Sequence, residues 1–278
     1  VLIVLSTGSL YLYGIGRVFA LAAEAGYDGI EVLIDHRWDT RHASYLRRLS
    51  DEYGLPIAAL HSPFVRYVPG WPSGQVGGLE QTVALARELC VPVVVAHLPI
   101  RLYPVQLQWR GAQPWKVALP IPALRQDAYC WLLTGPGLAE MEAETGVTVA
   151  VENMPASRFF GLRVNRFWFN TPEQWARFPH LTLDTTHLGT WGLDPLAVYE
   201  RVKERVAHVH LSNYDGAEHR APPDGHLPLA ELLHLLARDG YPGAVSVESD
   251  PSPLQAEDPD KSLANLLRSL EFCREHFT

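Results

Sequence analysis

Glu152, Asp184, His210 and Glu248 each close a short apolar run, in VTVAVEN, LTLD, VAHVH and AVSVES. Three carboxylates and one imidazole form a donor set suited to a divalent cation such as Mn2+, Mg2+ or Zn2+. A carboxylate directly after an apolar run is costly to bury unless it is paired. Carboxylates that converge on one place also repel one another and rise in pKa unless a cation neutralises them. A metal ion is the simplest partner that makes such a set stable.

The elements that must position these residues repeat. Short β-branched or apolar runs at 2–5, 29–34, 57–60, 92–97, 147–152, 181–184, 206–211 and 244–248 alternate with amphipathic stretches such as RVFALAAEAG, SYLRRLSDEYG, LEQTVALARELC, AEMEAETG and LAELLHLLARDG. Several of these stretches close on a glycine suited to a left-handed helix cap. Thr171-Pro172, Asp194-Pro195 and Asp258-Pro259 place a capping side chain before a proline suited to the first helical turn. Eight βα repeats in 278 residues predict an α/β fold, a single (β/α)8 TIM barrel spanning 1–278, with long loops after the fourth and fifth strands. No GxGxxG or GxxxxGK turn follows any strand, which counts against an open nucleotide-binding sheet.

In such barrels the active site forms at the C-terminal strand ends. Glu31, His61, His97, Glu152, Asp184, His210 and Glu248 all fall there, with His187 just beyond Asp184. A single histidine near a strand end is more often a satisfied structural residue than a ligand. It is the joint pattern that carries the argument. His208 shares a face with His210 through the two-residue strand period and is expected to line the barrel interior.

Charge and cysteine content narrow the partners. With 31 acidic against 23 basic residues, the formal charge of −8 disfavours nucleic acid. Cys90, Cys130 and Cys273 are widely spaced, with no CxxC pair, so neither a disulfide framework nor a zinc knuckle is indicated and a reducing cytoplasm fits. The opening VLIVL is too short for a membrane span. A small molecule is the expected partner, and the oligomeric state is open.

The series HSPF at 61–64, VVVAHL at 93–98, VAVEN at 149–153, LTLDTTHL at 181–188, HVHLSN at 208–213 and VSVES at 245–249, with GYDGIEVL at 26–33, resembles the xylose isomerase-like TIM-barrel superfamily. That superfamily contains sugar isomerases and epimerases, inosose dehydratases and apurinic-site endonucleases. The resemblance narrows the expected partner to a small carbohydrate or polyol. It implies that Glu152, Asp184, His210 and Glu248 ligate one divalent metal, and that Glu152 and Glu248 form the acid/base pair of a sugar or sugar-phosphate isomerase or epimerase working through an enediolate. Glu31, His61, His97, His187 and His219 fall on the substrate side, His187 as a hydrogen-bond donor to a substrate hydroxyl or oxyanion.

The alternatives are a cyclitol dehydratase with the same ligands and an endonuclease-like phosphodiesterase. In the second, His61 and His97 hold another metal bridged by Glu152, and His187 and His219 belong to a third. That third site needs an acid at Ala217, which is absent; Asp215 is two residues away. Ketose epimerases of the superfamily often carry a glutamate six residues after the fifth-strand ligand and an arginine after the seventh strand. Here those regions read Arg158 and Tyr214-Asp215-Gly216, which weakens the free-ketose assignment.

Two loops bear on the ligand. The stretch 99–136 carries Tyr103, Trp109, Trp115, Tyr129 and Trp131, read as a lid whose rings stack on a sugar, or alternatively as a cover for the barrel or a subunit interface. The stretch 154–170 carries Arg158, Arg163 and Arg166, which could grip a phosphate or carboxylate or pair with the acidic surface.

Overall fold

The computed structural model describes residues 1–65, 67–109, 115–124 and 126–278, without side chains at 106–109 and 115–118. Its strands are β1 (Leu2–Ser6), β2 (Gly29–Leu33), β3 (Ile57–His61), β4 (Val93–Ala96), β5 (Leu102–Trp109), β6 (Trp115–Pro122), β7 (Thr148–Glu152), β8 (Ala156–Phe159), β9 (Leu162–Asn165), β10 (Leu181–Asp184), β11 (Val206–Leu211) and β12 (Ala244–Val247). β1, β2, β3, β4, β7, β10, β11 and β12 pair in parallel in that order, and β12 returns to β1 to close the barrel. These are the eight expected strands. His97 and Glu248 fall one residue past their ladders, at the rim.

The strands form because β-branched residues pack well on both faces of a barrel wall. The helices around it include α1 (Ile15–Ala25), α2 (Ala43–Tyr53), α3 (Gln75–Leu89), α4 (Asp127–Thr134), α5 (Gly137–Thr145), α6 (Pro172–Trp175), α7 (Thr185–Trp191), α8 (Pro195–Val202), α9 (Leu229–Arg238) and α10 (Pro259–His276). α1, α2 and α5 end on the left-handed glycines Gly26, Gly54 and Gly146, as their sequences require. α3 ends on Cys90, which holds φ at 59° without being a glycine. Asp194 and Asp258 cap α8 and α10 through side-chain oxygens, whereas Thr171 makes no such bond at α6.

The main core lies between the wall and the helices, where Phe19, Ile30, Leu46, Leu60, Leu79, Trp175 and Phe178 are fully enclosed. The barrel interior is more polar toward the C-terminal ends: Ser6, Glu31, Thr182, Asp184, His208, His210 and Ser246 have no exposed surface.

The long connections after β4 and β7 are not irregular loops. β5 and β6 form an antiparallel hairpin, followed by α4 and α5; β8 and β9 form a second hairpin turning at Phe160-Gly161, both with positive φ. Alternation in these segments is easily taken for loop composition because aromatics and arginines interrupt it.

Candidate active site

His210, near the end of β11, organises the centre. Its Nδ1 lies 3.0 Å from Glu248 Oε2, 3.1 Å from Glu152 Oε1 and 3.7 Å from Asp184 Oδ2. The four residues offer ligand atoms within 4.8 Å of one another, although their positions in the chain span 96 residues from Glu152 to Glu248. Asp184 divides its oxygens. Oδ1 caps α7 by accepting the His187 backbone N–H at 2.7 Å, while Oδ2 is buried with no hydrogen bond. Glu152 Oε2 also accepts no hydrogen bond: His97 Nε2 lies 3.0 Å away but is not aligned to donate. Buried carboxylate oxygens with no donor are costly, so the residues present fit a divalent cation held by Glu152, Asp184, His210 and Glu248.

The electrostatics follow from this crowding. Burial would raise the Glu152 and Glu248 carboxyls, but the His210 charge and hydrogen bonds pull Glu152 well below the usual carboxylate range and Glu248 to about 2. Burial opposes charge on His210, yet Glu248, Glu31 and Glu152 together raise its pKa well above an ordinary imidazole.

Glu31 occupies a different place from the one its strand-end position suggests. Its Oε2 is 3.1 Å from His210 Nε2, on the edge of the ring opposite the carboxylate cluster, and 2.5 Å from His208 Nε2. Its Oε1 accepts Ser6 Oγ–H at 3.3 Å. Both residues of the Glu31–His208 pair are fully enclosed inside the barrel, so Glu31 supports the His210 ring from below. A carboxylate behind a ligating histidine fixes its tautomer and orientation.

Two wings flank the centre. On the β3–β4 side, His61, His97 and Glu152 form a second potential ligand group that shares Glu152. His61 Nδ1 donates to the Ser62 carbonyl at 2.9 Å, which leaves Nε2 to accept from His97 Nε2–H at 3.2 Å. Tyr129 donates its hydroxyl to the His97 carbonyl at 2.8 Å, and Phe64 stacks on the His97 ring at 5.9 Å while staying 60 % exposed. Phe64 therefore lines the mouth as an aromatic wall.

On the β10–β11 side, Asp184, His187 and His219 form a third group. His219 holds a left-handed backbone at φ 52°, a conformation costing about 1–3 kcal/mol that its neighbours must impose. Its N–H donates to Thr186 Oγ1 and its carbonyl accepts from Asp250 N–H. Burial lowers the His219 imidazole, but the charges of Glu248, Asp184 and Asp250 lift it to about 9. His187 Nδ1 lies 2.8 Å from the Asn153 carbonyl. That oxygen can only accept, so the proton sits on Nδ1 and the neutral ring presents Nε2 as an acceptor. The donor role expected of His187 requires its protonated form.

Several contributors carry no isolated sequence signal. Asn153 exchanges hydrogen bonds with Asp184 and also orients His187, and its only mark is that it follows Glu152 in VEN. The lid splits apart: Tyr129 is a buried support, Trp131 is exposed on α4, Tyr103 lines a cavity with Phe64, and the Trp109 and Trp115 side chains lie outside the described residues. Arg163 is occupied, donating to the Trp191 carbonyl at 2.8 Å.

The sequence model described as xylose isomerase-like TIM barrel matches residues 19–275. The chain belongs to this family. An uncharacterized Mycobacterium tuberculosis protein is 29% identical to this family member over 98% of this chain and 96% of its own length. The rhizopine catabolism protein MocC of Rhizobium meliloti is 28% identical over 84% of this chain and 74% of its own length. A D-tagatose 3-epimerase-like protein of known structure shares the family fold with a TM-score of 0.68, 20% identity and coverage of 99% of this chain and 97% of that one.

Proposed function

We propose that this chain is a divalent-metal-dependent sugar or sugar-phosphate isomerase or epimerase that moves a proton beside a carbonyl. The observation that carries this reading is the placement of Glu152 and Glu248, from β7 and the end of β12, at 3.1 and 3.0 Å from the same His210 nitrogen. Two ionised carboxylates converging from separate strands can address one substrate from two sides. Glu248 is the more open, with 15 % of its side chain exposed against 1 % for Glu152. Glu248 therefore takes the proton from the mouth side, and Glu152, ionised at rest, first takes a proton from a substrate hydroxyl and then delivers it to carbon from within. A bound divalent cation supplies Lewis acidity toward the substrate's carbonyl and hydroxyl oxygens. His187 Nε2 accepts from a substrate hydroxyl, and Phe64 covers the apolar face of the ring.

The test is solvent-deuterium incorporation at the carbon beside the carbonyl, followed by proton NMR across neutral and phosphorylated ketoses with Mn2+ present. Glu248→Gln should abolish incorporation while the fold is kept. Absence of exchange with every ketose in a metal-loaded, folded protein would sink the reading, and water loss from a cyclitol would move it to the lyases.

A second reading, phosphodiester hydrolysis, draws on the sharing of Glu152 between the His61–His97 group and the main centre. The charge of −8 and Ala217 weigh against it. Two or more tightly bound ions per chain, with cleavage of abasic DNA, would replace the isomerase reading.

A further inference from the structure

A cavity of about 440 Å3 opens beside the His187–His219 wing, between the β8–β9 hairpin and the loop that follows β11. Arg158 and Ser157 project from the hairpin, Arg166 comes from just beyond it, and Tyr214 and Glu218 come from the opposite side. Glu218 precedes His219, so the cavity is contiguous in the chain with the candidate centre.

Several polar groups here keep donors that no acceptor among the described residues takes up. Arg166 is half-buried; its Nε donates to the Leu102 carbonyl at 3.3 Å, its Nη1 to Ser157 Oγ at 3.1 Å, and its guanidinium lies 5.6 Å from the Phe167 ring. Its Nη2 makes no hydrogen bond, and no carboxylate approaches it to within 4.0 Å among the described residues. Arg158 is exposed and makes no hydrogen bond or ion pair among the described residues. The Tyr214 hydroxyl is likewise unpartnered there, and Ser157 still has its own proton to donate. Glu218 is the one acid lining this cavity among the described residues, and burial raises its carboxyl above the usual range, opposed by the charges of His187 and His219. Glu218 is the carboxylate whose charge reaches Arg166, so two guanidinium groups face one acid across this cavity, and the surplus positive charge suits an anion from outside the chain.

We infer that this cavity seats an oxyanion group, phosphate or carboxylate, of an acidic sugar whose carbonyl end lies at the Glu152–Glu248 centre. The inference rests on the isomerase reading for the substrate's other end, but the anion site stands on its own geometry. Arg158 and Arg166 neutralise the group, and Ser157 and Tyr214 donate to its oxygens.

Isothermal titration of the Mn2+-loaded protein with D-fructose, D-fructose 6-phosphate and D-glucuronate tests it. At least one anionic ligand should bind about tenfold or more tighter than D-fructose, the scale of one charge-assisted hydrogen bond. Preference for the phosphate or for the carboxylate identifies the source of the oxyanion. Arg158→Gln should erase the preference while the folded spectrum and metal stoichiometry persist, which separates this site from direct ligation of Mn2+ by the anion. Arg166→Gln should act likewise, but it also cuts the bonds to Leu102 and Ser157, so Arg158→Gln is decisive.

Equal affinity for neutral and anionic ligands, or a preference that survives Arg158→Gln, overturns the proposal. Arg158-dependent anion binding without deuterium exchange in any ketose would leave this site standing and remove the isomerase reading. Exchange in ketoses without anion preference would do the reverse.

Discussion

Glu31 and His210 meet edge to edge beneath the centre, Oε2 lying 3.1 Å from Nε2, with the three carboxylates on the other side of the ring. The contact makes His210 Nε2–H a donor to Glu31 and directs Nδ1 toward Glu152, Asp184 and Glu248, where a bound cation would take its lone pair in place of a proton. Glu31 is itself held by His208 and Ser6, so the ring orientation is set inside the barrel and not by the rim loops.

Glu31→Gln should therefore weaken Mn2+ binding by about 10- to 100-fold, the usual effect of removing a partner behind a ligating histidine. Competition with a fluorescent chelator measures it. Unchanged affinity in a folded variant would mean that the strand backbone alone orients the ring.

Asn153 and Asp184 exchange two hydrogen bonds, Asn153 Nδ2 to the Asp184 carbonyl at 3.0 Å and Asp184 N–H to Asn153 Oδ1 at 2.8 Å. Asn153→Leu leaves both backbone groups buried without partners, and each unsatisfied group costs about 1–3 kcal/mol. Urea denaturation should show a lower midpoint with an unchanged m-value. Metal affinity should fall as well, because Asp184 loses its anchor.

Gly225 packs against the Asn213 side chain, and a Cβ there would stand 2.3 Å from Asn213 Oδ1 and 2.8 Å from the Tyr214 carbonyl. That Oδ1 already accepts from the Tyr214 and Leu227 N–H groups, so it has little freedom to move. Gly225→Ala should cost about 1–3 kcal/mol by overpacking. Gly146, with φ +71° and open space around its Cβ position, is the comparison: Gly146→Asn should cost less, since asparagine tolerates that backbone. Thermal melts of the two variants rank them directly.

The buried acids that carry a proton set the alkaline limit. Burial pushes the Cys273 thiol from 9.0 to about 12, and burial together with Cys273 raises the Tyr27 phenol, against a smaller opposing effect of Arg274. Both folded pKa values exceed the unfolded ones, so this contribution is fully present below the unfolded values and is lost as pH rises toward the folded ones. The urea midpoint should decline from about pH 9 upward. Cys273→Ala should flatten the decline even if it lowers the starting stability by creating a cavity. A midpoint independent of pH between 8 and 11 would contradict this account.

The βα alternation and the four strand-end residues were legible in the sequence because strand period and burial act locally. An apolar run followed by Glu152, Asp184, His210 or Glu248 can be recognised without knowing its neighbours. Parallel strands of similar length then bring their C-terminal ends to one rim, whatever the loops do. The inward direction of His208 followed equally from its two-residue spacing to His210. The loop segments were less legible: the hairpins after β4 and β7 have mixed aromatic and charged residues, and their strand character comes from pairing with each other.

By itself, the sequence determined the barrel, its family resemblance and which four strand-end residues cluster at the centre, since those depend on residue type and periodicity. Only the tertiary structure decided what each group faces. It turned Glu31 inward beneath His210, divided the oxygens of Asp184 between a helix cap and the centre, put the His187 proton on Nδ1, and left Arg158 and Arg166 with no carboxylate within 4.0 Å among the described residues while tying Arg163 to Trp191. The physical reason is that direction and partnership arise between residues distant in the chain. Glu31 and His208 stand 177 positions apart, and only barrel closure brings them to 2.5 Å.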